Sequence, residues 1–105
     1  MKKKNILITG SSGFLGSSII NYLSNKNYKF FLLIRKNSNL TRLKKNKNHE
    51  YIIIDYGRLE NIFKKNKIDL IIHCATSFGT TDRNISNIIQ SNLFLPLKLL
   101  DLAKK

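Results

Sequence analysis

The chain has 105 residues and carries 19 Lys and Arg against 6 Asp and Glu, a formal charge of +13. That length allows one small domain with its own core, the single Cys74 rules out an intrachain disulfide or a cysteine metal cluster, and no stretch reaches the ~20 apolar residues of a membrane span. A basic surface gains affinity from phosphate contacts, which keeps nucleic acid in view as a partner, but the Lys is scattered among Asn and Ile without a helix-turn-helix, zinc-finger or aromatic RNA-binding signature.

Lys2-Lys3-Lys4 ahead of apolar residues has the look of a leader. Gly10-Ser11-Ser12-Gly13 interrupts that stretch too early, and a strand over Ile6–Thr9 accounts for it better, so a cytoplasmic chain is expected. Beyond the glycines, Leu15, Ile19 and Leu23 recur four apart and predict a helix. It should end near Ser24-Asn25-Lys26-Asn27, where Asn can take the left-handed cap conformation. A second strand is expected over Phe30–Ile34, then a polar stretch and a short helix around Leu40–Lys45. Tyr51–Ile54 reads as the third strand, and Leu59, Ile62 and Phe63 mark the apolar face of the next helix. Leu70–Cys74 is the fourth strand, and Ile85, Ile88, Ile89, Leu93, Leu99, Leu100 and Ala103 mark a last helix disturbed at Pro96.

Near-continuous apolar strands suit a parallel sheet covered on both faces. Strand alternating with helix predicts an α/β fold, a doubly wound, Rossmann-like parallel sheet of order 3-2-1-4 spanning residues 1–105 as one domain. A full dinucleotide fold would continue to a fifth and sixth strand beside the fourth. The expectation is therefore an incomplete sheet, with an exposed edge at the fourth strand through which the chain could self-associate.

The richest segment is Thr9-Gly10-Ser11-Ser12-Gly13-Phe14-Leu15-Gly16. It lies where a strand hands over to a helix N-terminus, so its backbone N–H groups and the positive helix end can face a pyrophosphate. The glycines serve a tight turn, an approach to bare backbone and close helix–strand packing. Gly10, Ser12, Gly13, Phe14, Leu15 and Gly16 are the expected coenzyme contacts in this loop.

Arg35 follows the second strand, where an NAD-preferring site places an acid for the ribose 2′-hydroxyl. Arg cannot accept that bond but can donate to a 2′-phosphate, with Lys36 and Ser38 beside it. NADP is thus favoured over NAD, against the alternative of a plain surface arginine in a basic protein. Asp55 has its own alternative, a cap on the helix that begins near Gly57. His73 in an apolar run reads as a satisfied core residue rather than a catalyst, Cys74 as a small buried one, and His49 as isolated in a polar loop. Asn92 shares a face with Ile85, Ile88 and Ile89, and a polar side chain in such a stripe needs a partner, expected to be the loop after the fourth strand.

The pattern T-G-x-x-G-F-x-G resembles the cofactor loop of the extended short-chain dehydrogenase/reductases, the NAD-dependent epimerase/dehydratase group. The resemblance runs through most of the chain and implies further roles. Asp55 would accept from the adenine amino group, with Tyr56 packing on the ring. Ala75 and Thr76 would leave room for ribose and pyrophosphate after the fourth strand. Ser91-Asn92-Leu93-Phe94-Leu95-Pro96-Leu97 resembles the corresponding family helix, Asn92 included. With Arg35–Leu43 and Ala75–Gly79, it leans towards nucleotide-sugar reductases and epimerases.

Family enzymes use a Tyr-x-x-x-Lys pair, expected here beyond Lys105 together with the substrate-binding part. Tyr22-Leu23-Ser24-Asn25-Lys26 has that spacing, but Tyr22 lies about 10 Å along the helix from the pyrophosphate end. No catalytic residue is assigned. The expected function is nicotinamide-dinucleotide binding within a nucleotide-sugar epimerase, dehydratase or reductase. Alternatives are the same fold acting on another carbonyl substrate, as in dihydroflavonol reductases, or a non-catalytic nucleotide-binding module.

Overall fold

The computed structural model describes residues 3–24, 26–35, 39–44, 46–75 and 84–104. They form β1 (Lys4–Thr9), α1 (Phe14–Leu23), β2 (Tyr28–Ile34), β3 (His49–Ile53), α2 (Tyr56–Lys65), β4 (Leu70–His73), α3 (Ile85–Ile89), a π-helical turn (Gln90–Phe94) and α4 (Leu95–Ala103). Two compact units result, Met1–Cys74 and Ala75–Lys105.

The first unit holds a parallel sheet in the order β3-β2-β1-β4. All four expected strands are present, three of them starting two residues early. Register places Ile8 beside Leu32 on one side and Ile72 on the other, Leu33 beside Ile52, and Thr9 beside His73. Side chains alternate across the sheet, so Ile6, Ile8, Phe30 and Leu32 share one face and Leu7, Phe31 and Leu33 the other. All seven are buried, which is why β1 and β2 are apolar at nearly every position. Right-handed crossovers put α1 on the first face and α2 on the second.

Ile20 of α1 closes a core with Ile6, Ile8, Phe30, Leu32 and Leu43, and Ile19 and Leu23 pack at its margin. Leu15 was expected on this apolar face but is exposed. The buried first turn consists of Gly16 and Ser17 instead, because the helix starts too close to the sheet for a bulky side chain. Ser24 keeps right-handed torsions and its hydroxyl donates to the Ile20 carbonyl at 2.6 Å, satisfying an orphan acceptor. Among the described residues only Gly10 has positive φ; Asn25 lies outside them.

The short helix expected around Leu40–Lys45 is a single turn, closed by Leu43 N–H on the Leu40 carbonyl at 3.0 Å. Leu40 and Leu43 pack into the core, so their apolar character serves anchoring rather than helical periodicity. Lys45 lies outside the described residues.

In the second unit, the expected last helix is divided. Leu95 N–H reaches back five residues to the Gln90 carbonyl, the mark of a π turn. Pro96 has no N–H for the carbonyl four residues earlier and its ring crowds that carbonyl; the wider turn relieves this just ahead of it. Leu95, Leu99 and Leu102 are the buried stripe of α4, while Ile85, Ile89 and Leu93 are exposed.

Candidate functional site

The loop after β1 is built around the Gly10 carbonyl. Gly10 adopts φ 68°, a left-handed torsion that L side chains resist. Its carbonyl accepts from Gly13 N–H at 3.1 Å and closes the turn. A β-carbon on Gly13 would sit 3.3 Å from that same oxygen, and one on Gly16 only 2.2 Å away. Ser11, fully buried, donates from Oγ to the Ile8 carbonyl at 2.9 Å and ties the loop to the strand end.

Gly13 is the N-cap of α1, so no side chain caps the helix, and its first turn contains no acid. Ser17 N–H closes onto the Gly13 carbonyl at 3.0 Å. The N–H groups of Phe14, Leu15 and Gly16 precede that bond and form the positive end of the helix. Their own side chains leave the approach open: Phe14 is 76% exposed, and Leu15 is exposed as well. Bare backbone, an uncapped helix end and glycines that admit no β-carbon fit a pyrophosphate bridge.

Beside the loop, the ends of β1 and β4 are joined through Thr9. Cys74 N–H donates to the Thr9 carbonyl at 3.2 Å and to Thr9 Oγ1 at 3.1 Å. The same hydroxyl is hydrogen-bonded to His73 Nδ1, 2.6 Å away. His73 is therefore satisfied, as expected, but it is exposed at a strand end and does not belong to the core. Partial burial of the ring holds it below the usual histidine range. Cys74 is half-buried rather than enclosed, and desolvation pushes its thiol up, away from nucleophilic character.

Asp55 is the N-cap of α2, accepting from Gly57 N–H at 2.7 Å and Arg58 N–H at 3.3 Å through Oδ1. The capping alternative thus holds, and Lys64 and Lys65 complement the other end of the helix dipole. Arg35 follows β2 directly, with its side chain exposed. Asn92 is exposed in the π-helical turn, and Ala75 opens the second unit, half-buried. Lys36, Ser38, Thr76 and the Tyr56 side chain fall outside what the structure describes. Tyr22, with the decoy spacing, is 77% exposed on α1.

The first unit therefore brings together Gly10, Ser12, Gly13, Phe14, Leu15 and Gly16. Thr9 and Ser11 support them and were not singled out from the sequence. The signal was a strand end with hydroxyls at consecutive positions around the first glycine. His49, expected in a polar loop, opens β3 with its ring edge-on to Phe30 at 5.5 Å between centroids. No cluster of His, Cys, Asp and Glu suited to a metal occurs among the described residues, and no helix among them is long and apolar enough to cross a membrane.

A parallel sheet of this order with a glycine turn at the first helix is the architecture of the dinucleotide-binding α/β fold. Residues 6–105 match the model of the NAD dependent epimerase/dehydratase family, and the chain belongs to that family. It is 36% identical over 112 residues to a dTDP-glucose 4,6-dehydratase of Haemophilus influenzae, covering 95% of this chain and 33% of that protein. The fold matches an epimerase of Methanothermobacter thermautotrophicus with a TM-score of 0.83 at 24% identity, over 98% of this chain and 32% of the other. It also matches the Bordetella bronchiseptica enzyme WbmH in complex with NAD+, with a TM-score of 0.83 at 22% identity, over 97% and 35%. The chain thus spans about a third of the length of these relatives.

Proposed function

We propose that this chain is the coenzyme-binding part of a nucleotide-sugar epimerase, dehydratase or reductase, with NADP preferred. The observation that carries the reading is the Gly10–Gly13–Gly16 cradle at the uncapped start of α1. The main-chain N–H groups of Phe14, Leu15 and Gly16 would hold the pyrophosphate, as helix N-termini do for phosphates. Arg35 would donate to the ribose 2′-phosphate, which NAD lacks. Asp55 keeps its second oxygen for the adenine amino group while Oδ1 caps α2.

The bound coenzyme supplies hydride chemistry. The chain's own residues would bind and orient it. The relatedness to a dTDP-glucose dehydratase supports a nucleotide-sugar substrate. Calorimetric titration of NADP+ and NAD+ into the 105-residue chain tests the reading. Binding of both, tighter for NADP+ and weakened by Gly16→Ala, is expected; binding of neither would reject it.

A further inference from the structure

We propose that the end of the sheet where its strands begin is a sequence-independent binding face for the sugar–phosphate backbone of nucleic acid, carried chiefly by Lys4, Lys26, Lys47 and Lys65. These lysines are scattered along the chain, and the parallel topology gathers them. All strands of a parallel sheet start at one end, and α1 and α2 return the chain to that end before β2 and β4. Lys4 opens β1, Lys26 lies between α1 and β2, Lys47 precedes β3, and Lys65 closes α2 ahead of β4. All four are exposed. The glycine loop sits at the opposite end, where β1 hands over to α1, so this face is separate from the coenzyme reading.

Contacts between the strand starts hold the face together. Lys3 Nζ donates to Asn48 Oδ1, a bond that reaches from β1 past β2 to the start of β3. Asn5 donates from Nδ2 to the Lys67 carbonyl and from its backbone N–H to Asp69 Oδ2, both at 2.8 Å, and so fastens the approach to β4. Among the described residues at the strand starts, Glu50 and Asp69 are the carboxylates, and each already stands beside a lysine: Lys29 at 3.7 Å and Lys67 at 3.9 Å. The C-termini of α1 and α2 add about half a negative charge each, which leaves positive charge in excess. The arginines of this unit lie towards the other end. Arg35 follows β2, Arg58 is in the first turn of α2, and the Arg42 guanidinium carbon is 6.0 Å from the Phe14 ring centroid at the start of α1.

The chemistry of the face selects the partner. Between the lysines stand asparagines, Asn5, Asn46, Asn48 and Asn66, and Leu70 is the one large apolar side chain exposed at the strand starts among the described residues. A basic patch without an apolar second signal holds a membrane only weakly. Lysines act as point charges for phosphates and read no base edge. The aromatic rings at this end, Tyr28 and His49, both pack edge-on against Phe30, so they offer bases no stacking platform. Four strands about 4.8 Å apart make a row of about 14 Å, which matches about four phosphates of one strand at 3.4 Å per step.

Fluorescence anisotropy of a labelled single-stranded RNA with the 105-residue chain, over a salt series, tests the proposal. Four phosphate contacts to a single strand predict a slope of log affinity on log salt of about −3. The pairs Lys4→Gln/Lys47→Gln and Lys26→Gln/Lys65→Gln should each flatten that slope by about 1.4, the share of two contacts. Arg42→Gln/Arg58→Gln removes equal charge from the other end and should leave the slope unchanged. Circular dichroism verifies the fold of every variant. Two RNAs of unrelated sequence should bind alike, and saturating NADP+ or NAD+ should not displace them. No binding at low salt, or the same flattening in the arginine pair as in the lysine pairs, overturns the proposal. So does displacement by dinucleotide, which would put the RNA on the glycine loop. Binding to vesicles of equal parts phosphatidylcholine and phosphatidylserine that exceeds binding to RNA overturns it in favour of a membrane surface. Because the dinucleotides are titrated separately, failure to bind them rejects the coenzyme reading and leaves this one standing.

Discussion

The Gly10 carbonyl oxygen occupies the space where a side chain on Gly16 would have to begin, 2.2 Å from an ideal β-carbon. Both partners are backbone, so neither can rotate away. Gly16→Ala must push α1 off the end of β1 or distort the turn, at a cost of roughly 1–3 kcal/mol in stability for forced overpacking. It should also weaken dinucleotide binding about tenfold to hundredfold, since charge-assisted N–H contacts would be misaimed. Gly13→Ala, whose β-carbon would meet the same oxygen at 3.3 Å, should show the same effects in milder form. Denaturant melts and coenzyme titrations of both variants check the order; equal behaviour would show that the carbonyl is not the constraint.

Asp55 has two separable jobs, because one carboxylate oxygen accepts both capping bonds. Asp55→Ser keeps a good N-cap, so its stability should stay close to wild type, while its shorter side chain gives up the contact to adenine. Asp55→Ala should lose both, including about 1 kcal/mol of cap energy. Stability and coenzyme affinity measured on the two variants separate the roles. Unchanged affinity in both would leave Asp55 as a cap alone.

The parts of this fold that depend on local pattern were legible in the sequence. Apolar runs marked the four strands, and the glycine spacing after β1 marked the turn. What escaped depends on residues distant in the chain. Asn21 looks like any polar helix residue until the segment around Arg42 returns to it, and Thr9 acquires its partners only when β4 pairs with β1. His73 was misplaced because an apolar run suggests enclosure, whereas the end of a strand next to a loop is open. The apolar Leu40 and Leu43 suggested a helix because anchoring and periodicity place similar residues at similar spacings.

Arg35 should govern coenzyme choice. Replacing it with Asp supplies an acceptor for the 2′-hydroxyl and repels a 2′-phosphate. Arg35→Asp is expected to weaken NADP+ about tenfold to hundredfold, the size of a lost charge-assisted contact, and to strengthen NAD+. Because Arg35 is exposed at the end of β2, thermal stability should scarcely move. Parallel titrations decide the matter: retained NADP+ preference in Arg35→Asp would reduce Arg35 to a surface charge.

Both histidines should make the fold less stable in mild acid. Burial holds His49 and His73 below the ordinary histidine value, which is about 6.5 in an unfolded chain. As pH falls through that value, the unfolded chain takes up protons that the folded chain resists, and stability declines. The decline levels off below the folded-state values. Structure gives each ring a reason to stay neutral. His73 Nδ1 is already engaged with the Thr9 hydroxyl, and His49 Nδ1 is buried with no hydrogen-bond partner among the described residues. The melting temperature should therefore drop between pH 7.5 and pH 5.5, a window above the usual carboxylate range of about 4. A His49→Phe/His73→Gln variant should lose most of that slope. A wild-type melting temperature that holds or rises on acidification would show that neither ring resists its proton.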